Sequence, residues 1–414
     1  MQDILCAKVS TKNGFYKNHS PVDLVNIYSS PLYVYNEEII IERVKRMKSL
    51  IKSKNFKPYY SVKANNNSYI LRTIHKLGMG FETVSLEEVK YLIKLGISVD
   101  KIISTPNNIG YEELRSLINL GVDLTLDSLD QLQMAVNIDN KRKFKIRINS
   151  GIGLGHSNKV VTGGKNTKFG FDETELLELL NTDFLTEKID GLMHHMGSLF
   201  LDEDGYIKGA RKLLEYAKLF NNIKTVDFGG GFGVSYNLRD SQNDLNIANL
   251  SYELTKLVDE YKFYDCEIRI EPGRYIVAES CILLGKITSK KVSNSKIYVG
   301  CDIGFNQMPR TALYGSYHDL EFYSKNMKSR TRQRVNIVGN ICESGDYIAT
   351  DREFYELFPD DIIGVLTCGA YGYSMSSNYN MRFRPAEIMI LEDGSVRLIR
   401  RREELDDFIN LMEF

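Results

Sequence analysis

The sequence contains no tryptophan, and it has only 8 prolines and 6 cysteines among 414 residues. The cysteines form no C-x-x-C pair, so a disulfide framework is not expected. The 6 histidines show no ligand spacing relative to them, and we predict no metal site. Most of the cysteines should be buried as small hydrophobic side chains, with Cys342 as the exception.

An excess of charge of one sign is also lacking, since 53 basic residues face 54 acidic ones. This balance gives no electrostatic reason to expect nucleic acid or an anionic membrane as a partner. The sequence does not open with a basic segment followed by an apolar run, and no stretch approaches the roughly 18 to 20 apolar residues that span a bilayer. We therefore expect a cytoplasmic protein that binds neither nucleic acid nor membrane.

The length predicts two domains, because 414 residues exceed what one hydrophobic core usually organises. Over residues 57–275, apolar β-branched runs alternate with patterns in which Leu and Ile recur at helical spacing before a glycine. The candidate strands are 58–63, 80–84, 101–105, 122–127, 144–149, 189–195, 224–228 and 267–271. This alternation predicts a parallel sheet, and a count of eight favours a closed (β/α)8 TIM barrel over an open doubly wound sheet.

After about residue 283 the sequence has strand-like runs with Gly, Asp and Asn turns, which predict an antiparallel β-sandwich or β-barrel domain. The run LEDGSV is typical of a hairpin turn. We also expect residues 1–33 to be extended and to join this domain. The predicted division is therefore a barrel at 34–283 and a β domain formed by 1–33 and 284–414.

Several reactive side chains fall at the carboxyl ends of the predicted barrel strands, where barrel enzymes carry out their chemistry. Lys63 ends the first strand, and burial there would make its amine nucleophilic, although most lysines are simply solvated. Arg147 ends the fifth strand. His195 ends the sixth, with His194 expected to point the opposite way.

The last two strands end in a glycine-rich loop and in a carboxylate. Gly230 and Gly231 lie in VDFGGGFGV, which would let backbone N–H groups approach a phosphate, although tight turns use the same residues. Glu271 and Arg274 follow in IEPGRYIV. A Schiff-base lysine, a phosphate cradle, an arginine and a carboxylate for a protonated ring nitrogen are together what pyridoxal 5'-phosphate requires.

At this point a resemblance becomes apparent. The segments YYSVKANNN, HMGS, VDFGGGFG, EPGR, CESGD and GAYGYSMSSNYN occur in the order found in the alanine-racemase-like (fold type III) decarboxylases. The sequence resembles the diaminopimelate decarboxylases most closely, with ornithine decarboxylase as a more distant relative. The resemblance extends over about residues 31–390, nearly the whole chain.

The resemblance implies decarboxylation of an amino acid, with meso-2,6-diaminopimelate converted to L-lysine as the first candidate. It implies a homodimer in which Cys342 and Glu343 come from the partner subunit, with Cys342 returning a proton to the α carbon. Residues implied to contact the cofactor are Lys63, Arg147, His195, Ser198, Gly230, Gly231, Glu271, Arg274 and Tyr371. Residues implied to contact the substrate are Arg310, Tyr314, Glu343 and Tyr371.

Departures from the family pattern leave alternatives open. Thr311 replaces a proline, Leu199 replaces a glutamine, and Glu82 stands where an aspartate is common. Arg310 favours a substrate with a distal carboxylate, because an unpaired buried arginine would be costly with a substrate that lacks one. The alternative for Arg310 is a salt bridge at the surface or at an interface. A decarboxylase of D- or L-ornithine, of lysine or of carboxynorspermidine is the alternative, followed by a racemase. A non-catalytic homologue that binds a partner protein is a remote alternative, because Lys63 and Cys342 are present.

Overall fold

The computed structural model describes residue 10 and residues 13–155, 162–164, 167–238, 245–324 and 330–413. The strands in this part of the chain are β1 (Leu32–Asn36), β2 (Phe56–Ser61), β3 (Gly80–Thr83), β4 (Ile102–Ser104), β5 (Asp123–Leu126), β6 (Phe144–Arg147), β7 (Leu154–Gly155), β8 (Ile189–Met193), β9 (Gly197–Ser198), β10 (Thr225–Asp227), β11 (Glu267–Ile270), β12 (Cys281–Ser293), β13 (Lys296–Cys301), β14 (Leu320–Tyr323), β15 (Arg332–Val338), β16 (Tyr347–Tyr355), β17 (Ile362–Val365), β18 (Ala386–Ile390) and β19 (Val396–Arg400).

The α-helices of the same part of the chain are α1 (Pro21–Tyr28), α2 (Glu37–Lys48), α3 (Ser68–Lys76), α4 (Leu86–Lys94), α5 (Tyr111–Asn119), α6 (Leu129–Ile138), α7 (Glu173–Leu180), α8 (Asp183–Thr186), α9 (Glu203–Ala217), α10 (Ile247–Tyr261), α11 (Arg274–Val277), α12 (Pro309–Tyr314) and α13 (Asp406–Ile409). Short 3-10 helices cover Val62–Ala64, Val99–Lys101, Ala278–Ser280, Tyr373–Met375 and Tyr379–Met381.

Eight parallel strands close into a barrel in the order β10-β11-β2-β3-β4-β5-β6-β8. Each of the eight predicted strands overlaps one of them, so the predicted TIM barrel is confirmed and the open sheet is excluded. Closure through the pairing of β8 with β10 places the carboxyl ends of all eight strands on one rim.

Capping serines and C-terminal glycines determine where several helices around the barrel begin and end. The Ser85 side chain accepts from the N–H of Glu88 at the start of α4, and the Ser128 side chain accepts from Gln131 at the start of α6. Gly96 and Gly121 follow α4 and α5 with φ of +88° and +78°. These glycines adopt the left-handed backbone that ends a helix and turns the chain toward the next strand.

The second sheet has nine strands, with β16-β15-β13-β12-β1-β18-β19 as its main path and β17 pairing with both β12 and β14. The predicted β-rich region is confirmed, and most pairs are antiparallel, although β1–β18 and β13–β15 run parallel. The long strand β12 pairs with β1 and β17 over residues 281–286 and with β13 from Ile287 onward. The β12–β13 pairing has a register shift between Ile287 and Ser289. A bulge of this kind bends a strand, so that its two ends can pair with different strands of the sheet.

The prediction that residues 1–33 are extended was wrong over Pro21–Tyr28, which form α1. Pro21 occupies the first turn, where its fixed φ favours a helix, and Leu24 and Val25 bury one face against the core of the β-rich sheet. Residues 1–9, 11 and 12 lie outside the described residues. The predicted hairpin at LEDGSV is confirmed, since β18 and β19 pair antiparallel on either side of it.

The chain forms two compact units. One contains Met1–Ile40, Ser235–Ser241 and Val277–Phe414, and the other contains Ile41–Val234 and Gln242–Ile276. We call them the β-rich unit and the barrel unit. Of the cysteines, 266, 281, 301 and 368 are buried and Cys342 is exposed, while Cys6 lies outside the described residues. Among the helices described, none has the length and apolar character needed to cross a membrane.

An ionic network in the barrel unit gives a first testable prediction. Asp123 on β5 lies 2.6 Å from Lys145 Nζ and 2.8 Å from Arg269 Nη2, and both cations are largely buried. These cations hold the pKa of Asp123 below its usual value despite partial burial. Because Asp123→Ala leaves two buried cations without this partner, we expect it to lower the free energy of unfolding by about 3 kcal/mol in denaturant titrations.

The matched control is Asp100→Ala. Asp100 pairs with Lys101 at the surface, where both side chains are more than half exposed. Exposed pairs contribute little, so this variant should unfold within about 0.5 kcal/mol of the wild type. Equal stabilities of the two variants would contradict the prediction.

Candidate active site

The candidate site lies on the rim of the barrel unit, and strand order explains its composition. Going around the rim, β6 carries Arg147, β8 leads to His195, β10 leads to the glycine-rich loop, β11 leads to Glu271, and β2 leads to Lys63. Residues that are far apart in sequence are thus on neighbouring strands. The structure therefore brings together all the candidate residues that lie in the barrel unit.

Lys63, which the sequence predicted to end the first strand, lies in the 3-10 turn two residues beyond the observed end of β2 at Ser61. Its Nζ is 2.6 Å from Oε2 of Glu82, a buried residue on the adjacent strand β3. Gly273 permits this arrangement, because a Cβ there would crowd the side chains of Ser61 and Ala64. The Lys63 side chain is one-third exposed, so a ligand can reach it while Glu82 holds its amine in place.

Arg147 is buried where β6 ends. Its Nη1 lies 3.5 Å from Oδ1 of Asp127, its Nη2 donates to the His195 carbonyl at 3.4 Å, and its guanidinium stacks 4.5 Å from the Phe169 ring. Burial lowers the pKa of Arg147, and Asp127 counteracts that effect. These contacts tie three strand ends together and place a positive charge behind His195.

The adjacent histidines occupy different environments, as strand alternation predicts. The Nδ1 of His195 accepts from the N–H of Gly230 at 3.2 Å, so this nitrogen carries no proton. Burial, together with Arg147 and Lys63, holds the pKa of His195 well below its usual value. His194 is fully buried near Tyr206 and Phe228, and burial lowers its pKa to about 3. His195 therefore presents a neutral ring at the rim.

The glycine-rich loop after β10 is shaped by close packing. A Cβ on Gly229 would collide with the backbone oxygen of His194, one on Gly230 with that of Glu271, and one on Gly231 with that of Gly197. Gly231 also has a φ of +99°. The glycines thus let the loop backbone pack directly against the ends of the strands on both sides.

Two residues that the resemblance implies as cofactor contacts, Ser198 and Arg274, meet next to this loop. Arg274, at the start of α11, donates from Nη2 to Oγ of Ser198 at 2.9 Å. The chain beyond Ser198 is fixed by the N–H of Phe200, which donates to the Gly231 carbonyl. A guanidinium, a hydroxyl and a glycine-rich backbone are groups that bind a phosphate dianion.

Two buried carboxyl groups lie at the ends of β10 and β11. Glu271 is almost fully buried, and its Oε1 has no hydrogen-bond partner among the described residues. Burial and the nearby carboxylates of Asp227 and Glu82 raise the pKa of Glu271 well above its usual value. Burial also raises the pKa of Asp227 to about 7, although Asp227 accepts from the N–H of Gly229 at 2.8 Å.

An unsatisfied buried carboxylate oxygen is costly unless a ligand donates to it. The protonated ring nitrogen of pyridoxal phosphate is such a donor, and Lys63 and the Ser198–Arg274 pair match its aldehyde and its phosphate. The residues of the rim therefore fit this cofactor.

Asp227 gives a prediction on pH dependence. A carboxyl group whose pKa rises from 3.8 to about 7 on folding binds more protons in the folded state, so its contribution to stability is lost as the pH rises from about 4 to 7. We expect Asp227→Asn to remove this contribution. In thermal unfolding of the cofactor-free protein, the variant's Tm should exceed that of the wild type at pH 8 by about 3 °C for each kcal/mol removed. A variant that loses stability equally at pH 5 and pH 8 would contradict the prediction.

The remaining candidates lie in the β-rich unit. Arg310 on α12 is fully buried and Tyr314 ends the same helix. Tyr371 has a φ of +57° in the GAY segment. Cys342 and Glu343 are exposed: the Cys342 N–H donates to Oδ1 of Asn380, and the Tyr379 hydroxyl donates to Oε1 of Glu343 at 2.5 Å.

Sequence reasoning missed three acidic residues of the rim, Glu82, Asp127 and Asp227. Glu82 was noted only as a departure from the family pattern, and it now proves to be the ion-pair partner of Lys63. All three lie at or next to the carboxyl end of a barrel strand. The same criterion that selected Lys63 and Glu271 would have found them.

Comparison with known proteins agrees with this geometry. Residues 37–278 match the family described as "Pyridoxal-dependent decarboxylase, pyridoxal binding domain". The chain is therefore a pyridoxal-dependent decarboxylase, and its cofactor is pyridoxal phosphate, as predicted from the sequence.

Within that class, the chain belongs to the diaminopimelate decarboxylase family. It is 33% identical to the diaminopimelate decarboxylase of Methanothermobacter thermautotrophicus over 94% of this chain and 92% of that protein. It is also 33% identical to that of Campylobacter jejuni, over 93% and 96%. The crystal structure of the Helicobacter pylori diaminopimelate decarboxylase complexed with L-lysine superposes with a TM-score of 0.85 at 30% identity, covering 94% of this chain and 98% of that chain.

Proposed function

We propose that this enzyme decarboxylates meso-2,6-diaminopimelate to L-lysine. The observation that carries the proposal is Arg310, a fully buried arginine on α12 whose guanidinium contacts the uncharged groups of His318, Ser316 and Tyr236. A fixed positive charge matches a substrate with a second, distal carboxylate. The relatives support this assignment, because they are named diaminopimelate decarboxylases and one of them was crystallised with L-lysine.

The residues of the rim have distinct proposed roles. Lys63 would hold the cofactor covalently, Ser198, Arg274, Gly230 and Gly231 would bind its phosphate, and Tyr371 would add a further phosphate contact. His195 would lie against its ring, with Arg147 behind it, and Glu271 would accept a hydrogen bond from the protonated ring nitrogen. When bound, pyridoxal phosphate supplies an electron sink that accepts the electron pair left by the departing carboxylate.

The chain's own groups then complete the reaction. Glu271 would help to keep a proton on the ring nitrogen of the bound cofactor, because an ionised carboxylate stabilises the positive charge there. The neutral His195 adds no second cation next to that ring. Cys342 Sγ would supply the proton that replaces carbon dioxide at the α carbon. Glu343 and Tyr314 would contact the substrate.

Departures from the family pattern are compatible with this substrate. Thr311, which stands where a proline is usual, donates its hydroxyl to the carbonyl of Met308 within the first turn of α12. It therefore adds no charge near Arg310. Leu199 has a φ of +66°, a strained conformation for a leucine, directly after Ser198.

The test is carbon dioxide release by the cofactor-loaded enzyme offered meso-diaminopimelate, L- and D-ornithine, L- and D-lysine, and carboxynorspermidine separately. We expect meso-diaminopimelate to give by far the highest kcat/KM, with L-lysine as the product. A higher kcat/KM for any other substrate would overturn the assignment and direct mutagenesis to Leu199 and Thr311.

We further propose a homodimer in which Cys342 and Glu343 of the partner subunit complete each site. Both residues are exposed on the β-rich unit beside Tyr379 and Met381, which are 44% and 59% exposed. Exposed apolar side chains next to reactive ones are typical of a shared interface. Localisation in the cytoplasm stays a prediction from the sequence.

Subunit mixing tests the shared site. Lys63→Ala and Cys342→Ala should each be nearly inactive, yet random mixing of the two should restore about a quarter of wild-type activity, because half of the dimers then contain one intact site. The control mixes Lys63→Ala with Glu271→Gln, both in the barrel unit, and should restore nothing. The absence of recovery in the first mixture would refute sharing.

A further inference from the structure

Arg310 lies in a set of contacts that fixes its direction. Its Nη1 is 3.0 Å from Nε2 of His318, and its Nη2 is 3.4 Å from Oγ of Ser316. The guanidinium also stacks 4.4 Å from the centroid of the Tyr236 ring. All of these residues belong to the β-rich unit.

The hydrogen bonds of His318 determine its protonation. Its Nδ1 is 2.7 Å from the carbonyl oxygen of Leu366, and its Nε2 faces the Arg310 guanidinium. A carbonyl only accepts and a guanidinium only donates, so Nδ1 carries the hydrogen and Nε2 accepts from Arg310. His318 is fully buried and is therefore held as one neutral tautomer.

The backbone around His318 is itself fixed. Asp319 accepts from the N–H of Leu238 at 2.6 Å and from the Tyr317 hydroxyl at 2.8 Å. Arg352 donates to the His318 carbonyl at 2.9 Å. The Tyr236 ring meets the imidazole edge to face, with centroids 4.8 Å apart. This support leaves the imidazole little freedom to turn away from Arg310.

We propose that His318 is a positioning residue that aims Arg310 at the distal carboxylate of the substrate. A neutral acceptor orients the guanidinium without cancelling its charge, whereas an acidic residue in this place would compete with the substrate. The inference rests on the proposed function, since it assigns to Arg310 a carboxylate-bearing ligand. It adds a residue that acts through Arg310 and does not itself touch the substrate.

Two matched variants separate this role from a structural one. In His318→Asn, the amide N–H can still donate to the Leu366 carbonyl, but the shorter side chain no longer places an acceptor at Nη1 of Arg310. In His318→Gln, the longer side chain can place its Oε1 where Nε2 was. Both would be studied as holoenzymes, with meso-diaminopimelate as the substrate and L-lysine and cadaverine as ligands in isothermal titration. L-Lysine keeps the distal carboxylate, and cadaverine lacks it.

We expect His318→Asn to raise the KM for meso-diaminopimelate and the Kd of L-lysine about tenfold, with kcat within about twofold of the wild type, because a contact made equally before and during the reaction affects KM. Cadaverine binding should not change. His318→Gln should restore most of the affinity for L-lysine. If His318→Asn does not fold, Tyr236→Leu, which removes the ring beneath the guanidinium, should give the same pattern.

Equal weakening of L-lysine and cadaverine, or unchanged binding of both, would overturn the inference. A wild-type enzyme that releases no carbon dioxide from meso-diaminopimelate would instead overturn the proposed function. In that case, the ratio of the Kd values of L-lysine and cadaverine, compared between the wild type and His318→Asn, still tests the role of His318. The two failures are therefore distinguishable.

Discussion

Replacing Lys63 with alanine is expected to lower the rate of carbon dioxide release by at least about a thousandfold, because the enzyme loses the amine that holds the cofactor covalently. The fold should survive, since Lys63 is one-third exposed in a short turn after β2. Borohydride reduction followed by peptide mass analysis should find the cofactor on the peptide that contains Lys63 in the wild type, and no attached cofactor in the variant.

Lys76→Ala is the matched control, because Lys76 is exposed in the last turn of α3, away from the strand ends. It should retain wild-type turnover and borohydride labelling. Continued labelling of the Lys63→Ala protein at wild-type yield would show that another lysine carries the cofactor.

Glu271→Gln should lower kcat by about a hundredfold to a thousandfold. A neutral amide keeps the shape of the side chain but carries no negative charge. The substitution therefore removes the electrostatic stabilisation of the protonated ring nitrogen. The cofactor-free variant should be at least as stable as the wild type at pH 8, because the substitution removes a buried carboxyl group that Asp227 and Glu82 repel.

The control is Glu87→Gln, an exposed residue in the first turn of α4, which should leave kcat unchanged. Steady-state kinetics and thermal unfolding together show whether the role of Glu271 is catalytic or structural. A Glu271→Gln enzyme with wild-type kcat would remove Glu271 from the catalytic machinery. A large loss of stability would assign it a structural role.

The barrel was predictable because its signal is local. Each strand is a short apolar run, each helix has its own periodicity, and Gly96 and Gly121 end helices where the sequence places them. Lys63, Glu271 and Arg274 were selected by the same local rule, because each lies at or just beyond a predicted strand end.

Contacts between strands were not predictable in this way. The ion pair of Lys63 with Glu82 depends on β2 lying beside β3, and the repulsion between Glu271 and Asp227 depends on β11 lying beside β10. The helix at Pro21–Tyr28 was missed because its eight residues are too few to show a clear helical period. The tautomer of His318 was not predictable for a third reason, since it depends on the carbonyl of Leu366, which is distant in sequence.

The glycine-rich loop after β10 has a consequence for protein engineering. Its glycines are required by the backbones of Glu271, Gly197 and His194, so a substitution there disturbs the polypeptide whether or not cofactor is present. A library screened only for soluble expression would therefore lose variants at Gly229, Gly230 and Gly231 before any selection for a new substrate began. Attempts to change specificity should keep these positions fixed and randomise Thr311 and Leu199, although the φ of +66° at Leu199 favours residues that tolerate a left-handed backbone.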